Sequence, residues 1–236
     1  MRHALFLFDI DGTLVSSGGA GRRALEAALE AHLGGAVRRE EPWLGGLKLD
    51  GMTDRLIVRE AMLALARPFD EALCDRILTT YADRLEQEIG GPGYAVLPGV
   101  EALLPALAAR GAVMGLSTGN TVRGARLKLG RGGLDRWFGF GEADPSGFAE
   151  DGEARERIVV AALRRGAARL GRPLDPAEAL VIGDTPRDVA AAQAAGCPVL
   201  AVATGRFTVE DLRREGADHA VASLAAPEAQ RLLLGS

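Results

Sequence analysis

Hydrophobic residues along this chain fall into two rhythms. The run Ala4-Leu5-Phe6-Leu7-Phe8 is apolar at every position, as expected of a strand buried on both faces inside a parallel sheet. Past Leu97-Pro98-Gly99, similar short runs recur at Ala112 to Leu116, Ala179 to Ile182, Pro198 to Ala203 and His219 to Leu224. Helical periods such as Val100 to Arg110 and Glu156 to Leu170 separate them. That alternation is the pattern of βαβ units and predicts a parallel sheet of about five strands. From Arg22 to Glu88 the spacing is helical only, around Arg22 to Leu33, Thr53 to Leu65 and Asp70 to Glu88, with Thr53 and Asp70 placed to serve as N-caps.

Two breaker-rich runs, Ser16-Ser17-Gly18-Gly19-Ala20-Gly21 and Gly90-Gly91-Pro92-Gly93, bracket the helical stretch. They predict flexible connectors, the first of them a hinge. The chain is therefore expected to be α/β, with a parallel-sheet core from residues 1–15 and 96–236 and an all-helical unit inserted at 16–95. An insert of about 75 residues is large enough for a small domain that moves as a lid.

Composition adds bounds. A chain of 236 residues, 47% hydrophobic and 25% charged, can bury a sizeable core. No apolar run reaches the roughly 18 residues of a membrane helix, and the start lacks the small-residue cleavage site of a secretory signal. A cytoplasmic protein with no membrane partner is expected. The net charge of -4 argues against nucleic-acid binding through a basic surface. Cys74 and Cys197 stand far apart without metal-like spacing and read as small buried hydrophobes. His3, His32 and His219 are scattered and read as structural or exposed. Trp43 and Trp137 read as packing residues, Trp43 in the insert also as a candidate for touching substrate.

Three predicted strands end in polar residues of a particular kind. The first runs into Asp9-Ile10-Asp11-Gly12-Thr13, a carboxylate pair followed by a glycine turn. The strand through Leu116 ends in Ser117-Thr118-Gly119-Asn120, which offers a hydroxyl and a backbone N–H able to approach an anion closely. The strand through Ile182 ends in Gly183-Asp184-Thr185-Pro186-Arg187-Asp188, with Pro186 suited to the first turn of a helix. Open parallel sheets bind ligands beyond the carboxyl ends of their strands. Carboxylates converging there suit Mg²⁺, which takes hard oxygen ligands and a substrate phosphate. A carboxylate can also attack phosphorus and divide hydrolysis into two easier steps.

Asp-x-Asp-Gly-Thr-Leu, then a Thr ending a strand, then Gly-Asp-x-x-x-Asp, in that order, resembles the haloacid dehalogenase-like hydrolase superfamily. The resemblance spans essentially the whole chain. It implies a Rossmann-like core with a helical cap inserted after the first motif, and Mg²⁺-dependent phosphoryl transfer through an aspartate nucleophile. By position, it implies Asp9 as nucleophile and metal ligand and Asp11 as the acid that protonates the leaving oxygen and then activates water. Asp184 and Asp188 complete the implied metal set of Asp9, Asp11, Asp184 and Asp188. Thr118, with the Gly119 amide and Asn120, is implied to bind the phosphoryl group. Dehalogenating members lack the second aspartate, so Asp11 favours the phosphatase branch. These roles require the Asp11 pKa to lie above that of Asp9.

The superfamily also places a cation near the start of the helix before the last acidic motif. The usual Lys-Pro signature is absent; Arg155 is favoured, with Arg157 and Lys128 as alternatives, Lys128 otherwise reading as a surface or cap-facing cation. Substrate choice is expected from the insert. Lys48-Leu49-Asp50-Gly51-Met52-Thr53-Asp54-Arg55 resembles the glycine-containing cap segment of phosphoglycolate-phosphatase-like members, making Thr53 a candidate contact, with Arg22 a further one; a plain loop capped by Thr53 is the alternative. The expected function is hydrolysis of phosphomonoesters of small soluble metabolites by a monomer or homodimer. Transfer to a sugar hydroxyl, as in phosphoglucomutase-like relatives, and a non-catalytic metabolite-binding role on the same fold are the alternatives.

Overall fold

In the computed structural model, residues 3–34, 44 and 49–235 are described; Trp43 and Lys48 lie outside them. The five predicted strands form one sheet. They are β1 (Leu5–Phe8), β4 (Val113–Leu116), β5 (Ala179–Gly183), β6 (Val199–Val202) and β7 (His219–Val221), in the order β4-β1-β5-β6-β7. Every pairing within it is parallel. Alternation along each strand sends its side chains to two cores. Phe6, Phe8, Leu180, Ile182, Leu200 and Val202 face α4 (Val100–Ala109), α5 (Val122–Arg131) and α9 (Pro227–Leu234). Leu5, Leu7, Val181, Val199 and Ala201 face α6 (Arg155–Leu170), α7 (Pro186–Ala194) and α8 (Val209–Arg214). With helices on both faces, this is the expected Rossmann-like α/β architecture.

Register aligns the strand ends that carry the motifs. Phe8 pairs with Leu116 on one side and Ile182 on the other. Asp9 N donates to Ile182 O and Ser117 N to Phe8 O, both at 2.8 Å. Asp9 and Ser117 therefore leave the sheet side by side, next to Gly183 at the end of β5.

Between β1 and β4 run α1 (Ala20–Leu33), α2 (Asp54–Ala64) and α3 (Glu71–Glu88). Their apolar faces close on a third core that includes Leu25, Leu29, Ile57, Met62, Ile77 and Leu85. The predicted N-caps are in place: Thr53 Oγ1 accepts from Leu56 N and Asp70 Oδ1 from Leu73 N. The connectors are more ordered than their glycines suggest. Val15–Ser17 forms β2 and pairs antiparallel with Tyr94–Val96, β3, so the entry and exit of the helical segment are joined by a two-stranded ribbon. Both cysteines are buried, and burial pushes their thiols up to about 11. No helix among the described residues is long and apolar enough to cross a membrane.

Leu180 lies in the central strand with no exposed surface. Leu180→Ala is expected to cost about 2–5 kcal/mol of stability, read as a lowered urea midpoint with unchanged slope.

Candidate active site

Asp9 follows β1, Asp184 follows β5, and Asp188 lies in the first turn of α7. A capping box fixes Asp188: its Oδ2 accepts from Thr185 N at 3.1 Å and from the Thr185 hydroxyl at 2.7 Å, while Asp188 N donates back to Thr185 Oγ1 at 3.3 Å. One ligand oxygen from each of Asp9, Asp184 and Asp188 lies within 4.8 Å of the others, and all three residues are buried. Glycine makes the space for this crowding. Gly12 turns at φ +78°, and a Cβ there would stand 2.2 Å from Asp184 Oδ2; one at Gly205 would stand 1.8 Å from the same atom.

Burial raises the proton affinity of these carboxyls. It pushes Asp9 up to about 7, partly countered by Arg155, with Asp188 and Asp11 adding to the rise. Asp184 goes up to about 9, from burial first and then from Asp188, Asp9 and Asp11. Three oxygen donors with this unrelieved repulsion are the donor set that a hard divalent cation requires. Arg155, the first residue of α6, supplies the nearby cation. Its Nη2 stands 3.4 Å from Asp9 Oδ1, pairs with Asp188 Oδ1 and donates to Ser117 O at 3.3 Å. Its buried Nε has no hydrogen-bond partner among the described residues. Arg157, by contrast, is exposed on the outer face of α6.

Asp11 differs from the expectation in two respects. Its carboxylate stands apart from the three-aspartate cluster and faces Lys128 Nζ at 2.6 Å, Asn120 Nδ2 at 2.9 Å and Ser17 Oγ at 3.1 Å. The side chain is therefore not among the clustered metal donors. Burial works to raise its pKa, but the Lys128 ammonium, with the Asn120 and Ser17 hydrogen bonds, outweighs it and holds Asp11 below the usual carboxylate range. Asp11 is thus held down, where the acid role predicts an upward push. The cause is Lys128, which is buried against Asp11 and not a surface residue.

A cavity of about 340 Å³ opens above these groups, lined from the core by Asp9, Asp11, Asn120 and Arg155. Arg22, Met52 and Tyr81 line it from the helical segment. Gly119 meets that segment closely, since a Cβ there would stand 2.5 Å from Met52 O. Asp54, to which the sequence pattern assigns no role of its own, docks the two parts: its N donates to Gly119 O at 2.8 Å and its Oδ2 accepts from Thr121 N at 2.9 Å. Burial pushes Asp54 up to about 6, against Lys128. Arg59 and Glu153 add a bidentate pair at 2.7 and 2.8 Å. Thr53 is not brought to this cavity. Its buried hydroxyl caps α2 and donates to Glu153 O at 3.2 Å, so the capping role holds there. Thr118 is fully buried behind the lining, its Oγ1 accepting from Asn120 Nδ2 at 2.8 Å. Arg22 reaches the cavity, although its Nη2 donates to Leu44 O at 2.8 Å and its Nε pairs with Glu26.

A model of the haloacid dehalogenase-like hydrolase family matches residues 3–196. The chain belongs to this family. Among its relatives, the phosphoglycolate phosphatase of Rhodospirillum rubrum is 34% identical over 217 residues, covering 84% of this chain and 79% of that protein. That of Salmonella typhimurium is 30% identical over 212 residues, with 84% and 80% covered. A solved structure of a predicted phosphoglycolate phosphatase from Haemophilus somnus superposes with a TM-score of 0.69 at 18% identity, covering 100% of this chain and 99% of that one. A putative beta-phosphoglucomutase from Bacteroides vulgatus superposes at 0.71 and 22% identity, covering 99% and 89%. At these identities the two structures show a shared fold.

The metal-free aspartate cluster has a pH signature. An unfolded aspartate loses its proton near pH ~4, whereas folded Asp184 keeps it up to about 9. The folded state then binds more protons than the unfolded one, so this group's contribution to stability falls as pH rises through that window. Without metal at about pH 8, Asp184→Asn is expected to raise the thermal midpoint and to shrink the stabilisation given by added Mg²⁺. A lowered midpoint with a full Mg²⁺ response would contradict this.

Proposed function

We propose that this enzyme hydrolyses phosphomonoesters of small metabolites, passing the phosphoryl group to Asp9 and then to water. The observation that carries the reading is the convergence of Asp9, Asp184 and Arg155 on one floor of the cavity, with Asp188 buried against them and Asp11 standing apart. We assign Mg²⁺ to the aspartate triad; when bound it supplies positive charge to the phosphoryl oxygens and keeps Asp9 ionised. The name shared by the curated relatives supports small anionic esters, phosphoglycolate among them, as substrates.

In this scheme Asp9 attacks phosphorus and an Asp9–phosphorus bond forms. The phosphorus–ester oxygen bond breaks, and its electron pair leaves with the oxygen, which takes the Asp11 proton and departs as the alcohol. The Lys128 ammonium favours the ionised form of Asp11, and the negative charge of an entering ester acts in the opposite direction, favouring its protonation. Water then attacks phosphorus while the Asp11 carboxylate accepts its proton. The pair of the breaking acyl phosphate bond returns to Asp9, and inorganic phosphate leaves. Arg155 clamps the transferring oxygens, its guanidinium directed by Asp188 and Ser117. The Gly119 amide and Asn120, backed by Thr118, orient the group from the second strand end.

Purified protein is expected to release phosphate from an aryl phosphate only with Mg²⁺. Asp9→Asn should reduce release to background, and Arg155→Ala should slow it about 10²–10³-fold, whereas Arg157→Ala should leave it unchanged. Undiminished turnover by Asp9→Asn would refute the nucleophile assignment. An isomerised sugar phosphate without net phosphate release would point instead to transfer.

A further inference from the structure

Lys128 is a buried cation that contacts Asp11 and takes no proton or bond in the two steps above. It stands on α5 with its side chain 6% exposed, Nζ 2.6 Å from Asp11 Oδ2. Asn120 Oδ1 accepts from the same ammonium at 2.6 Å. Asn120 closes the triangle, its Nδ2 donating to Asp11 Oδ2 at 2.9 Å and to Thr118 Oγ1 at 2.8 Å. On the side of the helical segment the ammonium meets Tyr81 of α3. Lys128 Nζ and Tyr81 Oη lie 3.4 and 3.8 Å from one point, the place a Cβ on Gly21 would take.

A lysine here can hold a phosphoryl oxygen, or it can hold a side chain that does chemistry. The first place is taken by Arg155, which lies against Asp9 and Asp188. Two of the three donors of the Lys128 ammonium are committed to Asp11 and Asn120. The Asp11 side chain is 41% exposed, so packing alone does not set its torsions. Its oxygens are set by hydrogen bonds, Oδ1 by Ser17 and Oδ2 by Lys128 and Asn120.

We propose that Lys128 is a positioning residue: together with Asn120 it holds the Asp11 carboxyl toward the bridging ester oxygen, and it does not bind the phosphoryl group. The proposal rests on the reading of Asp11 as the group that protonates the leaving oxygen. A weakly basic leaving group departs without that proton, and a strongly basic one does not. Loss of Lys128 should therefore be felt in proportion to leaving-group basicity.

The test compares kcat/KM, which reports the steps through phosphorylation of Asp9, for phenyl phosphate and 4-nitrophenyl phosphate, two substrates of similar shape. Lys128→Met is expected to lower kcat/KM about 10²-fold for phenyl phosphate and less than about tenfold for 4-nitrophenyl phosphate, with KM for both nearly unchanged. An equal loss on both substrates with raised KM would make Lys128 a phosphoryl-binding cation and overturn the proposal; so would no loss on either. Should Lys128→Met fail to fold, as judged by its thermal midpoint, Lys128→Gln makes the same comparison. Asp11→Asn is run in parallel. If it shows the leaving-group dependence and the Lys128 variants do not, this proposal alone fails. If it does not, the reading of Asp11 fails and takes the proposal with it.

Discussion

Four aspartates brought to the ends of adjacent strands repel one another, and the surrounding structure is arranged to contain that repulsion. Two buried cations divide the task. Arg155 faces Asp9 and Asp188, and Lys128 faces Asp11. Among the described residues Asp184 has only the Thr13 hydroxyl as a hydrogen-bond donor, 3.3 Å away, and burial pushes its proton affinity up furthest of the four carboxyls. The uneven cover gives the site its polarity. One side is short of positive charge and suited to a divalent cation, while the other is already neutralised and free for proton transfer.

This division of charge depends on backbone placement more than on the side chains themselves. The shared register of Phe8, Leu116 and Ile182 brings the motifs together, and the capping box at Thr185 turns Asp188 back toward them. Gly12 and Gly205 leave the volume that Asp184 occupies. Each device is local, and each would be ordinary elsewhere. Their common destination makes them a site.

Much of this was legible in the chain. Uniformly apolar runs marked the strands, and the carboxylates stood directly after them, so sheet, motifs and helical segment could be placed. What escaped was mostly a matter of helix phase. Arg155 and Arg157 are adjacent in pattern but sit roughly 200° apart around α6, and only the packing of α6 on the sheet decides which turns inward. Lys128 was obscured in the same way, because a lysine among arginines and leucines resembles a solvated face until α5 is docked. Asp54 lay inside a loop-like run, and its task depends on the approach of Thr121 from another part of the chain. The β2–β3 ribbon was masked by small residues, since three-residue strands carry too short an alternation to outweigh neighbouring glycines.

That ribbon links the helical segment to the acid. Gly12 N donates to Val15 O, Leu97 N donates to Leu14 O, and Ser17, the last residue of β2, donates to Asp11 Oδ1 at 3.1 Å. Entry and exit strands are bonded to each other and form a single stalk. The stalk begins four residues beyond Asp11 and ends on a hydroxyl that grips it. Tyr81 of α3 stands beside Lys128 in turn, so the segment reaches both members of the Asp11–Lys128 pair. The acid's hydrogen-bond partners therefore come from both parts of the chain, Ser17 from the ribbon and Asn120 and Lys128 from the core.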